Sequence, residues 1–182
     1  MSIRLTKWRI FAAIFAAVLL LDQISKAWIL STLALYESVP LIPLVLYLTR
    51  TENTGAAFGI GGGASSIFLV LSIGITLVIL YFYRRLAEDV YLQHLALSLV
   101  VAGAVGNVLD RLQHGFVVDF VHIIIPNVLS NVSNFADHAV TVGVILLLVD
   151  SVRTERQKPK PSVDRAVGEQ HTATPPLENI EP

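Results

Sequence analysis

Four long apolar runs dictate what this chain can fold into. Residues 9–33, 65–83, 92–110 and 136–152 are almost entirely apolar, and each is near the ~20 residues that a helix needs to cross ~30 Å of hydrocarbon. A helix satisfies its own backbone hydrogen bonds, which lipid requires. With 54% hydrophobic and 15% charged residues, the composition is too apolar for an ordinary soluble domain. The sequence therefore predicts an all-α integral membrane protein, with residues 1–152 as one domain of four transmembrane helices.

Lysine and arginine flank the predicted spans unevenly. They precede the first span, lie between the second and third, and follow the fourth, at Arg4, Lys7, Arg9, Arg84, Arg85, Arg153, Arg156, Lys158 and Lys160. The other two connections, residues 36–64 and 112–134, contain Arg50 as their only Lys or Arg. Because basic loops stay inside, this pattern predicts that the N- and C-termini are both cytoplasmic and that these two connections face outward.

Segments outside the spans differ in composition. Residues 36–64 combine a β-prone stretch with a turn-forming Glu-Asn-Thr-Gly and a glycine-rich end, which predicts a small extracytoplasmic β-rich segment between helices 1 and 2. Residues 153–182 have little to bury and are predicted to be a disordered cytoplasmic tail. A signal peptide is the alternative for the first run, but Asp22, Gln23 and Lys26 follow its core instead of a small-residue cleavage site. This favours a retained span.

Carboxylates and amides occur inside these apolar runs, where they are costly. An Asp at the centre of a membrane helix costs roughly 2.5 to 3.5 kcal/mol, so it usually marks a functional site. Counting 1.5 Å per residue places all of them roughly 21 to 28 Å from the cytoplasmic ends, and spacings of three or four put them on shared helix faces. We therefore expect one polar pocket that opens outward. Its members are Asp22, Lys26, Asn107, Asp110, Arg111, Asn134 and Asp137.

A further carboxylate, Asp119, lies just beyond the third span in the apolar segment GFVVDFVHIII. Two close carboxylates can share one proton, so that one acts as a base on water and the other as an acid. Such a pair would suit a hydrolase in a chain without cysteine. Depth alone favours Asp110 over Asp119 as a member of the pair, and Asp119 could equally cap a helix or a turn.

Other interpretations of the polar residues stay open. Intramembrane Asp and Lys also mark proton pathways, so a small proton-coupled transporter or channel subunit is the alternative function. The cytoplasmic halves of the spans, such as residues 10–21 and 142–149, are almost wholly apolar and argue against a path through the membrane. Asp110 could form a structural ion pair with Arg111, and Lys26 could extend to the outer head groups.

Small residues and histidines have simpler interpretations. Gly103 and Gly106 in the third span predict close helix packing and not a ligand cradle. His114, His122 and His138 do not have the spacing of a metal-binding motif. We therefore expect no metal or cofactor.

Four ordered blocks closely resemble the bacterial lipoprotein signal peptidases, also called signal peptidase II. The blocks are LLLDQISK (19–26), TENTGAAFG (51–59), VVAGAVGNVLDRLQHGFVVDFV (100–121) and NFADHAV (134–140). The resemblance implies a four-span aspartic protease that removes the signal peptide from diacylglyceryl-modified prolipoproteins, cutting before the lipidated cysteine. It also implies that Asp119 and Asp137 form the catalytic dyad.

The same resemblance implies the remaining features of the protein. It gives supporting or substrate-contacting roles to Asp22, Lys26, Asn53, Asn107, Asp110, Arg111 and Asn134. It implies a multi-pass protein of the bacterial cytoplasmic (inner) membrane, with its active site at the extracytoplasmic side and with lipid-modified prolipoproteins and membrane lipid as partners. We expect a monomer, and the net charge of -1 does not favour nucleic-acid binding. Ser133 and His138 depart from the family pattern and leave the local shape of the pocket open.

Overall fold

The computed structural model describes residues 3–55 and 65–157, which form four helices and four strands. In chain order these are α1 (Ile3–Thr32), β1 (Ser38–Ile42), β2 (Leu46–Asn53), α2 (Ser65–Tyr83), α3 (Tyr91–His114), β3 (Val117–Ile125), β4 (Leu129–Ser133) and α4 (Phe135–Gln157). All four helices are long and apolar enough to cross a membrane. This confirms the four helices that the apolar runs predict.

Two compact units divide the chain, Met1–Asp150 and Ser151–Pro182. The described part of the second unit is the end of α4, which continues to Gln157. The predicted tail therefore begins several residues too early, and its remainder, residues 158–182, lies outside the described residues. The glycine-rich end of the predicted β-rich segment, residues 56–64, also lies outside them.

Helix α3 is central to the bundle. It is the most buried of the four candidate spans and contacts α1 and α2. A Cβ added at Gly103 would lie 2.3 Å from the Ala136 carbonyl oxygen of α4, and one added at Gly143 would lie 2.6 Å from the Ala96 carbonyl oxygen. The backbones of α3 and α4 therefore approach so closely that only glycine fits, as the small residues predict.

Gly103→Ala is expected to destabilise the protein by about 1 to 3 kcal/mol or more, because the added methyl group meets backbone that cannot turn away. Gly74→Ala is the matched control, since a Cβ there meets nothing within 4 Å, and alanine should stabilise that helix slightly. Thermal unfolding of both variants in detergent measures the difference. Equal unfolding temperatures would show that α3 and α4 are not packed this closely.

One antiparallel sheet, in the order β1-β2-β3-β4, joins the ends of the helices. Its first hairpin falls in the predicted β-rich segment, but β3 and β4 come from the connection 112–134 and were not predicted. The predicted fold is therefore confirmed for the four helices and the first hairpin, but the all-α description omitted the second hairpin. A short apolar run cannot be assigned to strand or helix by periodicity alone, and here pairing with β2, including Thr51 opposite Asp119, makes β3 a strand.

The sheet is fastened to α1 by a small apolar core. Ile29 of α1 is buried against Val118 and Phe120 of β3. Because side chains alternate along a strand, Asp119 points to the opposite side. Gly115, with a φ of 81°, ends α3 in the left-handed conformation and turns the chain into β3.

Candidate active site

A cavity of about 570 Å³ lies between the sheet and helices α2, α3 and α4. Two carboxylates line it, Asp119 from β3 and Asp137 from the first turn of α4. The amides of Asn53 and Asn107 line the same cavity. The fold thus brings two carboxylates from different elements to one pocket.

Asp119 is held by two amides in a buried position. Asn53 Nδ2 donates to Asp119 Oδ2 at 3.0 Å, and Asn134 Nδ2 donates to Asp119 Oδ1 at 2.6 Å. Burial raises the pKa of Asp119 to about 7, and the negative charge of Asp137 acts in the same direction. The raised pKa makes Asp119 suited to hold the proton in a proton-sharing pair of carboxyl groups.

Asp137 is held where α4 begins. Asn107 Nδ2 donates to Asp137 Oδ1 at 2.7 Å. The backbone N–H of Asp137 donates to Asn134 Oδ1 at 2.9 Å, and the N–H of Asn134 donates to Asp137 Oδ2 at 3.4 Å. This reciprocal pair is a capping box. Asn134 thus caps α4 and also donates to the other carboxylate, which couples the positions of the two.

A buried ionic cluster, the Asp22–Lys26–Asp110 triad, contacts the pocket residue Asn107. Lys26 Nζ lies 2.8 Å from Asp22 Oδ2 and 2.9 Å from Asp110 Oδ2, and each residue is at most 2% exposed. Lys26 therefore does not extend to the head groups, and the cation that pairs with Asp110 is Lys26 instead of its neighbour Arg111. Pairing offsets the large cost of burying these charges.

The triad also holds the backbone beneath both pocket carboxylates. The N–H of Ala136 donates to Asp22 Oδ1 at 2.9 Å, and the N–H of Val118 donates to Asp110 Oδ2 at 3.0 Å. These two donors immediately precede the two pocket aspartates in sequence. A shift of the triad would therefore move both carboxylates.

Two further polar residues complete the support. Lys26 Nζ donates to Asn107 Oδ1 at 3.0 Å, so the amino group of Asn107 is left to face Asp137. Arg111 Nη1 donates to the carbonyl oxygen of Asn107 at 3.3 Å, and its Nη2 donates to the carbonyl oxygen of Gly55 at 2.9 Å. Arg111 thus ties α3 to Gly55, two residues beyond β2.

Gln23 belongs to this network although sequence reasoning assigned it no role. Its Nε2 lies 3.2 Å from Asp22 Oδ2, 3.0 Å from Asp110 Oδ1 and 3.3 Å from the Gly106 carbonyl oxygen. Its position in the sequence could have indicated this role, because Gln23 is a second polar residue next to Asp22 within the first apolar run.

Every site residue predicted from the sequence belongs to this one network, including Asn53, which sequence alone interprets as a turn residue. Depth in the membrane favoured Asp110 over Asp119 as the partner of Asp137, and the structure shows the reverse arrangement. Asp110 forms a buried ion pair with Lys26, whereas Asp119 lines the cavity together with Asp137.

The fold and the site define a polytopic membrane protein with a paired-carboxylate pocket at one end of its helical bundle. The family model for signal peptidase (SPase) II matches residues 14–153 of this chain. The lipoprotein signal peptidase of Staphylococcus carnosus (strain TM300) is 42% identical over 133 residues, which cover 73% of this chain and 84% of that protein. The lipoprotein signal peptidase of Geobacter sulfurreducens (strain ATCC 51573 / DSM 12127 / PCA) is 38% identical over 154 residues, with coverage of 83% and 96%.

Two solved structures of bacterial membrane enzymes share the fold of this chain. A bacterial membrane enzyme determined by the in meso method at 2.3 Å resolution superposes with a TM-score of 0.76 and 34% identity, covering 84% of this chain and 93% of that one. A second, at 1.9 Å resolution, superposes with a TM-score of 0.70 and 35% identity, covering 77% and 90%. The chain therefore belongs to the signal peptidase II family of membrane proteases.

Proposed function

We propose that this protein is an intramembrane aspartic endopeptidase that removes the signal peptide from diacylglyceryl-modified prolipoproteins and cuts before the lipidated cysteine. The observation that carries this proposal is the pair Asp119 and Asp137, which border one cavity and are each held by amide donors. The relatives named lipoprotein signal peptidases support the substrate class.

In the proposed mechanism the two carboxylates share one proton. The ionised carboxylate takes a proton from water as the water oxygen bonds to the scissile carbonyl carbon. The protonated carboxylate then supplies the proton that the leaving amine needs when the C–N bond breaks, as in other carboxylate dyads. The neighbouring amides keep both groups oriented without neutralising either.

Supporting roles follow from the contacts. We assign Asn53, Asn107 and Asn134 to orienting the dyad, because each donates to one of its carboxylates. The Asp22–Lys26–Asp110 triad positions the backbone before each aspartate. Arg111 holds the backbone of Gly55, which lines the pocket.

For the location, we propose the bacterial cytoplasmic (inner) membrane, with both termini in the cytoplasm and the pocket at the extracytoplasmic side. The distribution of Lys and Arg supports this orientation. A cut at that depth allows water to enter from outside while the diacyl chains remain in lipid beside the helices. We propose that the protein acts as a monomer, because both aspartates and the amides that donate to them belong to the same chain.

Cleavage of lipidated substrate tests the function directly. The purified protein in detergent is expected to cut a diacylglyceryl prolipoprotein roughly tenfold or more faster than the same precursor without lipid. Each acyl CH₂ group that is buried against the protein contributes about 0.8 kcal/mol to substrate binding. Mass spectrometry of the products locates the cut. Equal rates would contradict lipid dependence. Failure to cut either substrate, with proton flux in proteoliposomes, would favour the transporter instead.

The pH profile tests the shared proton. Because burial, reinforced by Asp137, raises the pKa of Asp119 to about 7, kcat/KM should fall as pH rises through about 7 and the pair loses its proton. The raised pKa also means that protonated Asp119 favours folding. This contribution is complete below the ordinary pKa of 3.8 and is lost as pH rises through about 7. A rate that stays flat to pH 9 would contradict the shared proton.

A further inference from the structure

The two outer edges of the sheet are built differently. At the β1 edge, Pro40 removes a backbone donor, and the register with β2 is irregular between Pro40 and Ile42. Proline and bulges are the devices by which proteins prevent an exposed edge strand from pairing with another chain. The β1 edge is therefore protected against added strands.

The β4 edge has none of these devices. Strand β4 reads LSNVS, without proline or charge, and it pairs with β3 in an unbroken register from Ser133 opposite Val121 to Leu129 opposite Ile125. Among the described residues, no strand pairs with its outer side. On alternate residues of such an edge strand, the backbone N–H and C=O groups point away from the sheet.

The β4 edge borders the candidate active site. Asn131, Val132 and Ser133 all line the cavity that contains the two aspartates. Successive side chains of a strand point to opposite faces, so three consecutive residues along one cavity indicate that the strand presents its edge there. Ser133 is followed directly by Asn134, which donates to Asp119. The end of β4 therefore lies next to the two aspartates.

We propose that the outer edge of β4 binds the peptide around the scissile bond as an added, extended strand; this rests on the proposed function. A signal peptide crosses lipid as a helix, and the part to be cut must unwind to expose its carbonyl carbon. Unwinding frees backbone N–H and C=O groups, which are costly near lipid unless they find partners. The β4 edge supplies those partners through backbone contacts, which tolerate different substrate sequences.

Backbone N-methylation of the substrate tests this edge without altering the enzyme. In a synthetic diacylglyceryl lipopeptide, each amide flanking the scissile bond is methylated in turn. We expect kcat/KM to fall by roughly threefold to tenfold at every second position, because a lost backbone hydrogen bond has about that effect and only alternate amides face β4. A flat profile, as expected if this chain itself covers the edge, would overturn the inference.

Proline substitutions test the same edge from the enzyme side. Asn131 and Val132 are neighbours, so the backbone N–H of one of them points out of the sheet and that of the other points toward β3. Proline at the position with the outward N–H removes no hydrogen bond to β3. That variant should keep the unfolding temperature of the wild type but have a lower kcat/KM. Leu41→Pro is the matched control on the opposite edge, where no strand-pairing partner is lost, and should cut normally. A folded β4 variant with the wild-type rate would overturn the inference. If the wild type does not cut the unmethylated lipopeptide, the proposed function itself fails.

Discussion

Asp119→Asn and Asp137→Asn are each expected to reduce kcat/KM for a diacylglyceryl prolipoprotein by roughly 10²- to 10⁴-fold, the range for loss of a general acid or base. Asparagine has the shape of aspartate but can neither take a proton from water nor share one with the partner. Purified variants are compared with the wild type in single-turnover cleavage, and their unfolding temperatures show that both are folded.

Two controls separate loss of the dyad from a general loss of charge. Asp89→Asn changes an exposed aspartate between α2 and α3 and should leave cleavage unchanged. The double variant at positions 119 and 137 should be about as inactive as either single variant, because residues that act as a unit are not additive. The dyad assignment is wrong if either single variant folds and cuts at nearly the wild-type rate.

Lys26→Met is expected to have the largest effect on stability, a loss of about 3 to 5 kcal/mol, as when one partner of a buried ion pair is removed. The substitution leaves Asp22 and Asp110 buried without the cation that contacts both. It also removes the donor to Asn107 Oδ1, so activity should fall in the fraction that still folds. Chemical unfolding in detergent measures the loss.

Lys7→Met is the matched control for this substitution. Lys7 is also buried and donates to the Leu86 carbonyl oxygen at 2.9 Å, but its one ion pair among the described residues is with Glu88. The Glu88 side chain is 26% exposed, so water can solvate the remaining charge and the loss should be smaller. Asp22→Asn, added to Lys26→Met, should restore part of the lost stability because it removes one uncompensated charge. Equal losses for the two lysine variants would show that the triad is not a dominant source of stability.

The local pattern of apolar residues was sufficient to predict the four helices. Runs of apolar residues long enough to cross lipid have one favourable backbone solution, so α2 was predicted with its observed bounds, Ser65–Tyr83. The other helices extend beyond their predicted ends at Ile3, His114 and Gln157, because polar or charged end residues continue a helix outside the apolar run. The close packing at Gly103 was also predictable, since small residues have few other uses in a membrane helix.

The clustering of these polar residues was predictable where they lie in a helix or at its start. Asp22 and Lys26, or Asn134 and Asp137, share a face by their spacing alone, and the cost of burying them in lipid forces them together. Asp119 was different. Its position depends on pairing with β2 and on the packing of Val118 against α1, which are contacts between distant parts of the chain that no local pattern carries. The residues alone offered Asp119 as one candidate, and only the resemblance to a family ranked it above Asp110.

By itself, the sequence determined four helices and a costly set of polar residues at one depth, because hydrophobic length and helical periodicity are local properties. Only the tertiary structure decided which carboxylate is held in an ion pair and which one lines the cavity. Asp110 is paired by Lys26 from another helix, while Asp119 is turned toward Asp137 by a strand that exists only in the sheet. The environment of a carboxylate depends on groups that folding brings from elsewhere in the chain, and that environment sets its chemistry.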